Sequence, residues 1–452
     1  MAWSSLEPLR SRNFALVWSS ALVSNVGSWM QTVALGVVVT LRTHDPLWTG
    51  LVAAAAFVPM GLLSPVGGAL ADRFERRRLL IVTTLFEAGF AAALAVLAAV
   101  HSPPAAMMVM AFFGGVAAAL GFPSYQAMLP DLVGREQLLA AVSLSSAQWN
   151  LGRVIGPALA GVVMVAGSAA WAFAVNAASF GAVVVALLFV RLPHHEPSAP
   201  AGEGIFGRIA DGARVAWAEP GCRSAIVLIA VVALVGSPFI GLVPAVVIEG
   251  LHVHKAAAGT AVLVTGQGIG AVVGALALAP MAIVLGRRRL LVRALFAFPA
   301  ALVVYGLAPS LWSAALAIVV VGGTYIGVLS GLNTVVQLRA PEEARGRVLS
   351  LYMMALGTIY PVGLVVEGAI ARTAGIETVT VASGVILLAV MGVIALARRG
   401  VFSALDDPEL AAAAEGSASV ATGAAGAAGA SGDRPVDVEA GVEVAVTDAR
   451  AT

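Results

Sequence analysis

The chain has 452 residues, of which 60% are hydrophobic and 11% are charged, and its mean hydropathy is +0.94. Soluble domains are about 45–50% apolar and about 25% charged, so this composition excludes a soluble protein and indicates an integral membrane protein. The formal net charge is +1, and Cys222 is the single cysteine, which excludes an intrachain disulfide and a cysteine-rich metal site. We expect no nucleic-acid partner, because the basic residues lie in short loops between apolar segments.

Runs of about 20 apolar residues predict roughly twelve membrane spans. The amino terminus is polar up to Phe14, and the apolar run that follows is longer than the core of a signal peptide, so we expect it to remain as the first span. The first six predicted spans are Phe14–Leu41, Trp48–Ala71, Leu79–Val100, Ala105–Leu129, Leu138–Val165 and Ala169–Val190. The second six are Ser224–Glu249, Ala258–Leu285, Leu290–Ala308, Trp312–Gln337, Val348–Ala371 and Thr378–Ala397.

Basic residues fall unequally on the two sides of these spans. One side has only Arg42, Lys255 and Arg372. The other side has Arg10, Arg12, Arg73, Arg76, Arg77, Arg78, Arg135, Arg191, Arg208, Arg214, Arg223, Arg287, Arg288, Arg289, Arg293, Arg339, Arg345, Arg347, Arg398 and Arg399. The positive-inside rule therefore predicts a multi-pass protein of the cell membrane with both termini in the cytoplasm.

Two short patterns recur between the first and second sets of spans. RRRLLI at Arg76–Ile81 returns as RRRLLV at Arg287–Val292, and the small residues of the fifth span at 156–161 are echoed at 363–368 in the eleventh. The offsets, about 211 and about 207 residues, indicate a duplicated six-helix unit. The predicted segments are therefore a cytoplasmic N-terminus (1–13), a six-helix bundle (14–190), a cytoplasmic linker (191–223) with a surface helix around Ile205–Trp217, a second bundle (224–397) and a disordered acidic cytoplasmic tail (398–452).

The loop after the second span reads GALADRFERRR and carries a dense set of charges. With twelve spans in two sets of six, it resembles the major facilitator superfamily, whose loop signature is G-x-L-a-D-r-x-G-r-K/R. Glu75 stands where that signature has Gly, and the gating loop that the resemblance implies consists of Gly68, Asp72, Arg73, Arg76 and Arg77. The resemblance implies an all-α membrane fold of two pseudo-symmetric six-helix bundles. It also implies that Asp72 pairs with the start of the eleventh helix to hold the cytoplasmic side shut; for the arginines, a role in topology alone is the alternative.

The fifth span contains GRVIGPALAG, which resembles the antiporter motif G-x-x-x-G-P-x-x-G-G of exporters in the same superfamily. The matching and adjacent residues are Gly152, Arg153, Gly156, Pro157 and Gly161, and Ala160 replaces one glycine. Small residues allow close helix packing, and proline removes a backbone hydrogen bond. The resemblance favours exchange over uniport or symport; generic helix packing is the alternative, and for Arg153 packing or a carboxylate partner is favoured over cargo binding.

Charged residues inside membrane spans are functional candidates. Glu87 in the third span and Glu367 in the eleventh are candidates to carry a coupling proton, although each is also compatible with a helix contact or an interface position. By resemblance, the first, fourth, seventh and tenth helices line the cavity. The substrate-cavity candidates are Asn25, Trp29, Thr32, Tyr325 and Asn333. They offer aromatic and hydrogen-bonding groups without fixed charge, which suits an amphipathic organic molecule.

Three longer segments resemble the enterobactin-exporter and macrolide-efflux branch of the superfamily: SRNFALVWSSALVSNVGSWMQTVAL, PSYQAMLPDLVGREQLLAAVSLSSAQWNLGRVIGPALAG and QLRAPEEARGRVLSL. The resemblance implies a proton-coupled exporter of a small molecule such as a drug, macrolide or siderophore. An importer or facilitator of a sugar or organic acid, and a transport-inactive receptor or scaffold, are the alternatives. No G-x-x-x-x-G-K-S/T loop, metal-ligand spacing or paired catalytic groups stand out, so we expect no enzyme activity, no metal and no cofactor, with the proton gradient as energy source.

Overall fold

The computed structural model describes residues 4–190, 205–397 and 399–406. Every regular element in these residues is helical, and twelve of the helices are long and apolar enough to cross a membrane. We number them α1 to α12 in chain order. They are Arg12–Thr43, Pro46–Arg73, Arg76–Ala99, Pro104–Leu132, Leu138–Ala166, Ala169–Phe189, Pro220–Gly250, Ala256–Leu285, Arg287–Gly306, Leu311–Arg339, Arg345–Ala374 and Ile376–Ala397.

The turns between spans are short and have local causes. α1 ends at His44, whose left-handed backbone (φ 49°) reverses the chain. The next residue, Asp45, caps α2 because its Oδ1 accepts a hydrogen bond from the Leu47 N–H at 2.9 Å, and Pro46 supplies a first helical residue without an N–H. Gly286 ends α8 at φ 80°, so α9 begins at the very next residue.

The twelve helices pack as two sets of six. In the first set α1 packs against α5 and α6, α2 against α4, and α3 between α4 and α6. In the second set α10 packs between α8 and α9, and α9 also contacts α12. The main contacts between the sets are α2 with α11 and α5 with α8. The predicted all-α membrane fold in two six-helix bundles is confirmed.

α7 departs from the regular helix that its composition predicts. Two five-residue π turns, Val232–Gly236 and Val246–Gly250, flank the α-helical segment Phe239–Ala245. Pro238 and Pro244 lack the N–H that α geometry uses, which favours an irregular path in this span.

A helix at Ile205–Ala218 occupies the predicted surface-helix position in the linker. Its Asp211 Oδ2 accepts from Arg347 Nη1 of α11 at 3.1 Å, so this linker helix is attached to the second set. Beyond α12, Arg399–Ser403 forms a short helix, and the Phe402 ring lies 6.3 Å from that of Phe296. The other parts of the predicted linker and acidic tail, residues 191–204, 398 and 407–452, lie outside the described residues.

Candidate transport pathway

Because the number of spans is even, residues 12 and 397 lie on the same side of the helix array, here called the termini side; the opposite side is the far side. At the far side, two ion pairs join the two sets of helices. His44 Nδ1 lies 2.9 Å from Glu249 Oε1, and Arg372 Nε lies 3.1 Å from Asp45 Oδ2. The ends of α1, α2, α7 and α11 are therefore connected there.

Glycines bring α2 and α11 into backbone contact between the far side and the middle of the membrane. A Cβ atom at Gly61 would lie 2.8 Å from the Thr358 N atom, and one at Gly368 would lie 3.0 Å from the Leu47 Cα atom. Real Cβ atoms essentially never lie as close as 2.8 Å to a backbone atom of another helix. The two helices can therefore pack this closely only because glycine has no side chain.

On the termini side the charged loop between α2 and α3 makes its contacts within its own six-helix set. Arg76 Nη1 pairs with Asp131 Oδ2 of α4 at 3.0 Å, and Arg77 donates to the carbonyl oxygens of Leu187 and Leu188 at the end of α6. These two arginines thus fix the loop to α4 and α6, where they cover terminal carbonyls and a carboxylate.

Asp72 and Arg73 of the same loop are exposed. Arg73 lies over the Phe74 ring at 5.8 Å, and within the described parts of the chain no hydrogen bond or ion pair reaches the Asp72 carboxylate. Gly68 faces open space. Across from Asp72, the start of α11 carries Arg347, which is paired with Asp211 of the linker helix. The contact predicted for Asp72 and α11 is therefore not made in this arrangement.

All the ion pairs and glycine contacts that join the two sets within the described residues lie at mid-membrane or toward the far side. These contacts therefore join the two sets from mid-membrane to the far side. We call the space between the two sets on the termini side of these contacts the central cleft.

The glycines of the α5 motif position α5 against α1 and α8. A Cβ atom at Gly152 would lie 2.8 Å from Asn25, and one at Gly156 would lie 2.6 Å from the Trp29 Cβ atom. Gly161 faces Ala261 of α8 in the same way, and Pro157 is buried within the motif. Close approach of α1 and α5 is what brings Trp29 next to Arg153.

Arg153 lies at mid-membrane with an aromatic neighbour. Its guanidinium carbon is 5.8 Å from the centre of the Trp29 ring. Trp29 meets Trp149 edge to face at 6.2 Å, and Trp149 meets Phe122 of α4 at 6.2 Å. We call Trp29, Phe122, Trp149 and Arg153 the aromatic–arginine cluster. Its members come from α1, α4 and α5 of the first set.

The second six-helix set faces Arg153 with phenols. Arg153 is within electrostatic range of Tyr325 of α10 and Tyr360 of α11, and a Cβ atom at Gly268 of α8 would lie 3.2 Å from the Arg153 carbonyl oxygen. Arg153 Nε is buried and has no hydrogen-bond partner among the described residues. Both sets thus meet around this side chain.

The other predicted cavity residues have varied surroundings. Asn25 is buried and donates to the Gln148 carbonyl at 3.3 Å, and Tyr325 is buried with its hydroxyl 2.9 Å from Ser237 Oγ. Thr32 is exposed and donates to the Ser28 carbonyl, whereas half-buried Asn333 accepts from Gln337. Asn25 and Tyr325 thus join helices to one another, and Trp29 alone of the predicted five belongs to the aromatic–arginine cluster.

The two intramembrane carboxylates differ in their contacts. Glu367 is buried and accepts from Ser383 Oγ of α12 at 2.8 Å. Glu87 of α3 is half-buried, and among the described residues it has no hydrogen bond or ion pair. The described residues also contain no group of three or more His, Cys, Asp or Glu side chains arranged to hold a metal ion.

The chain is similar in sequence to a known protein family and to several known transporters. The sequence model of a family described as "Transmembrane secretion effector" matches residues 3–418, most of the chain. The chain belongs to this family of the major facilitator superfamily. Among its curated relatives, the chain is 27% identical over 341 residues to the enterobactin exporter EntS of Citrobacter koseri, covering 75% of this chain and 80% of the relative. It is 26% identical over 392 residues to the multidrug efflux pump Tap of Mycolicibacterium fortuitum, covering 84% and 94%.

Solved structures share the fold of this chain at low sequence identity. A variant of the nucleoside transporter NupG superposes with a TM-score of 0.73 at 12% identity, covering 85% of this chain and 99% of that one. A bacterial homologue of the lysosomal transporter Spinster, in an inward-facing and unoccupied conformation, superposes at 0.67 with 15% identity, covering 87% and 97%. At such identities the likeness establishes the fold alone.

Two features of the interface between the helix sets were missed from sequence. Trp149 lies four residues before Arg153 on the same helix face, so the i, i+4 spacing could have linked it to the motif. The four far-side charges His44, Asp45, Glu249 and Arg372 all follow or precede span ends, a position that predicts the side of the membrane but not a partner.

Proposed function

We propose that this protein exports an amphipathic small molecule across the cell membrane in exchange for protons. The observation that carries this proposal is the uneven distribution of the contacts between the two six-helix sets: within the described residues, their ion pairs and glycine contacts lie from mid-membrane to the far side. Such an arrangement suits alternating access, in which rocking of the two sets exposes one central site to each side in turn.

Three further observations support export. The described relatives EntS and Tap are an enterobactin exporter and a multidrug efflux pump, and both align over most of their length. The cleft contains aromatic side chains from α1, α4 and α5, which suit a sizeable organic molecule. The positive-inside rule assigns the termini side to the cytoplasm, so the central cleft lies on the side of cytoplasmic substrate.

The exposed Asp72 has a specific role in this scheme. When the termini side closes, its carboxylate approaches the amino-terminal end of α11, where helix N–H groups and Arg347 favour a negative charge. The far-side ion pairs then separate. Glu367 and Glu87 remain the candidates for carrying the coupling proton, since carboxyl groups inside the membrane exchange protons as their surroundings change.

The test is proton release from energised inverted vesicles containing the full chain. Macrolides, siderophores and hydrophobic cations are added one at a time while the internal pH is followed with a fluorescent dye. Antiport moves substrate inward and protons outward, so the internal pH should rise with a transported compound and not in Asp72→Asn vesicles. A folded, correctly oriented wild-type protein that moves a compound without any pH change would contradict proton exchange. Movement in the opposite direction would favour an importer.

A further inference from the structure

Arg153 places a positive charge in the middle of the membrane, and no carboxylate among the described residues balances it. A guanidinium is charged at any physiological pH, and a charge at this depth is costly unless it is paired. Within residues 4–190, 205–397 and 399–406, no carboxylate forms an ion pair with Arg153, and its Nε is buried without a hydrogen-bond partner. Glu367, the intramembrane carboxylate of α11, accepts a hydrogen bond from Ser383 of α12.

The groups that do surround Arg153 cannot neutralise it. Trp29 offers the face of an indole ring at 5.8 Å, and Tyr325 and Tyr360 offer phenols, of which Tyr325 is already bonded to Ser237. Cation–π contacts and neutral hydroxyls stabilise a guanidinium, but they leave its net charge in place. The guanidinium therefore has aromatic neighbours but no anionic partner among the described residues.

The aromatic neighbours define what kind of anion fits. Trp149 is 47% exposed and its ring adjoins the Trp29 ring that contacts Arg153, and Phe122, which is 39% exposed, adjoins Trp149 in turn. The Trp29–Trp149 and Trp149–Phe122 contacts are edge to face, at interplanar angles of 74° and 62°, so the exposed rings present differently oriented apolar surfaces. A planar ring packs against such surfaces by offset stacking or edge contacts.

We propose that the aromatic–arginine cluster is a binding site for an aromatic organic anion. A carboxylate, sulfonate or phenolate of the ligand pairs with the Arg153 guanidinium, and its ring packs against Trp149 and Phe122. This inference rests on the proposed function in naming the substrate class of the same cleft. It narrows the class, because a ligand that is only apolar leaves Arg153 unpaired and an aromatic cation is repelled by it.

A pair of probes that differ by one anionic group tests the proposal. N-phenyl-1-naphthylamine is neutral, and 8-anilino-1-naphthalenesulfonate is the same ring system with a sulfonate. Equilibrium dialysis measures the binding of each to the full chain in lipid nanodiscs, with empty nanodiscs as the background and ethidium as an aromatic cation. The wild-type protein should bind the sulfonate at least tenfold more tightly than the neutral probe, and should bind ethidium most weakly.

Variants separate charge recognition from structural damage. Arg153→Gln should weaken sulfonate binding at least tenfold while changing binding of the neutral probe less than twofold, and Arg153→Lys should restore part of the preference. Trp149→Leu should weaken both probes. Arg78→Gln, which removes the same charge from a side chain that is 83% exposed and pairs with Glu75, should change neither.

Four outcomes would overturn the assignment: equal binding of the two probes by the wild type, no sulfonate binding by the folded wild type, equal losses for both probes in Arg153→Gln, or a loss in Arg78→Gln as large as in Arg153→Gln. Binding is measured at equilibrium without a proton gradient. A charge preference found here, together with transport of a compound in vesicles without any pH change, would therefore refute proton-coupled export and leave the anion site standing.

Discussion

The two ends of the interface between the six-helix sets use charge in opposite ways. At the far side, His44–Glu249 and Asp45–Arg372 run from one set to the other. At the termini side, Arg76–Asp131 stays within the first set, and Arg347–Asp211 and Arg339–Glu219 stay with the second. The difference teaches that the far-side pairs connect the two sets, whereas these termini-side arginines are paired within one set and the Asp72 carboxylate has no partner among the described residues.

The strength of these contacts indicates which of them matter most. Exposed ion pairs contribute about 0.2–1 kcal/mol each, and the side chains of His44 and Arg372 are 67% and 53% exposed. The backbone contact between α2 and α11 cannot adjust in this way, because a side chain added at its glycines would overlap backbone atoms of the other helix. We therefore expect steric changes at the glycines to outweigh charge changes at the ends.

The largest effect should come from Gly61→Leu, which disrupts the contact between α2 and α11 that closes the far side. The new side chain would meet backbone atoms of Gly357 and Thr358, forcing α2 and α11 apart and preventing far-side closure. Transport in the inverted-vesicle assay should fall at least 100-fold. Gly89→Leu in α3 is the matched control, since Gly89 faces open space, and it should retain activity within about twofold. Equal losses in both variants would show that the effect is general damage.

The second largest effect should come from a substitution at the termini side. Asp72→Asn removes the carboxylate proposed to hold the termini side shut, so substrate-driven proton exchange should be lost while the protein stays folded in the membrane. Glu75→Gln is the matched control: it lies three residues along the same loop and pairs only with Arg78. Comparable transport by Asp72→Asn and wild type would contradict the gating role.

A smaller effect is expected from the double variant Glu249→Gln, Arg372→Gln. Loss of both far-side pairs should shift the equilibrium toward far-side opening by about 0.4–2 kcal/mol, roughly a two- to thirtyfold change in population. Spin labels at His101 and Leu307, exposed far-side positions in the two sets, should report longer distances. Cys222 is buried and gives a low labelling background. An unchanged distance distribution would show that helix packing alone holds this end.

The smallest effect should come from Asp211→Asn, and its sign is opposite to that of Asp72→Asn. Without Asp211, Arg347 loses its partner in the linker helix and becomes available to Asp72, which favours closure of the termini side. The same spin-label pair should show a shift of at most about fivefold in population toward far-side opening. A shift in the other direction would mean that the linker helix promotes closure.

Much of the fold was predictable because membrane-length apolar runs leave few alternatives to helices. The twelve predicted spans and the linker helix near Ile205 match observed helices, whereas the π turns of α7 were missed, since their cause is the combined effect of Pro238, Pro244 and packing against α10. In the cleft, Trp29 was identified as a cavity residue. Its contact with Arg153 was not, because it depends on how closely Gly152 and Gly156 bring α1 to α5.

The π turns of α7 also give this helix a way to rotate. Each holds one residue more per turn than α geometry, so a return of Val232–Gly236 to α winding turns the segment beyond it by about 100° around the helix axis. Glu249 lies beyond that turn, so the contact of its carboxylate with His44 depends on the winding of α7. The His44–Glu249 pair at the far side is thereby tied to the helical geometry of one span.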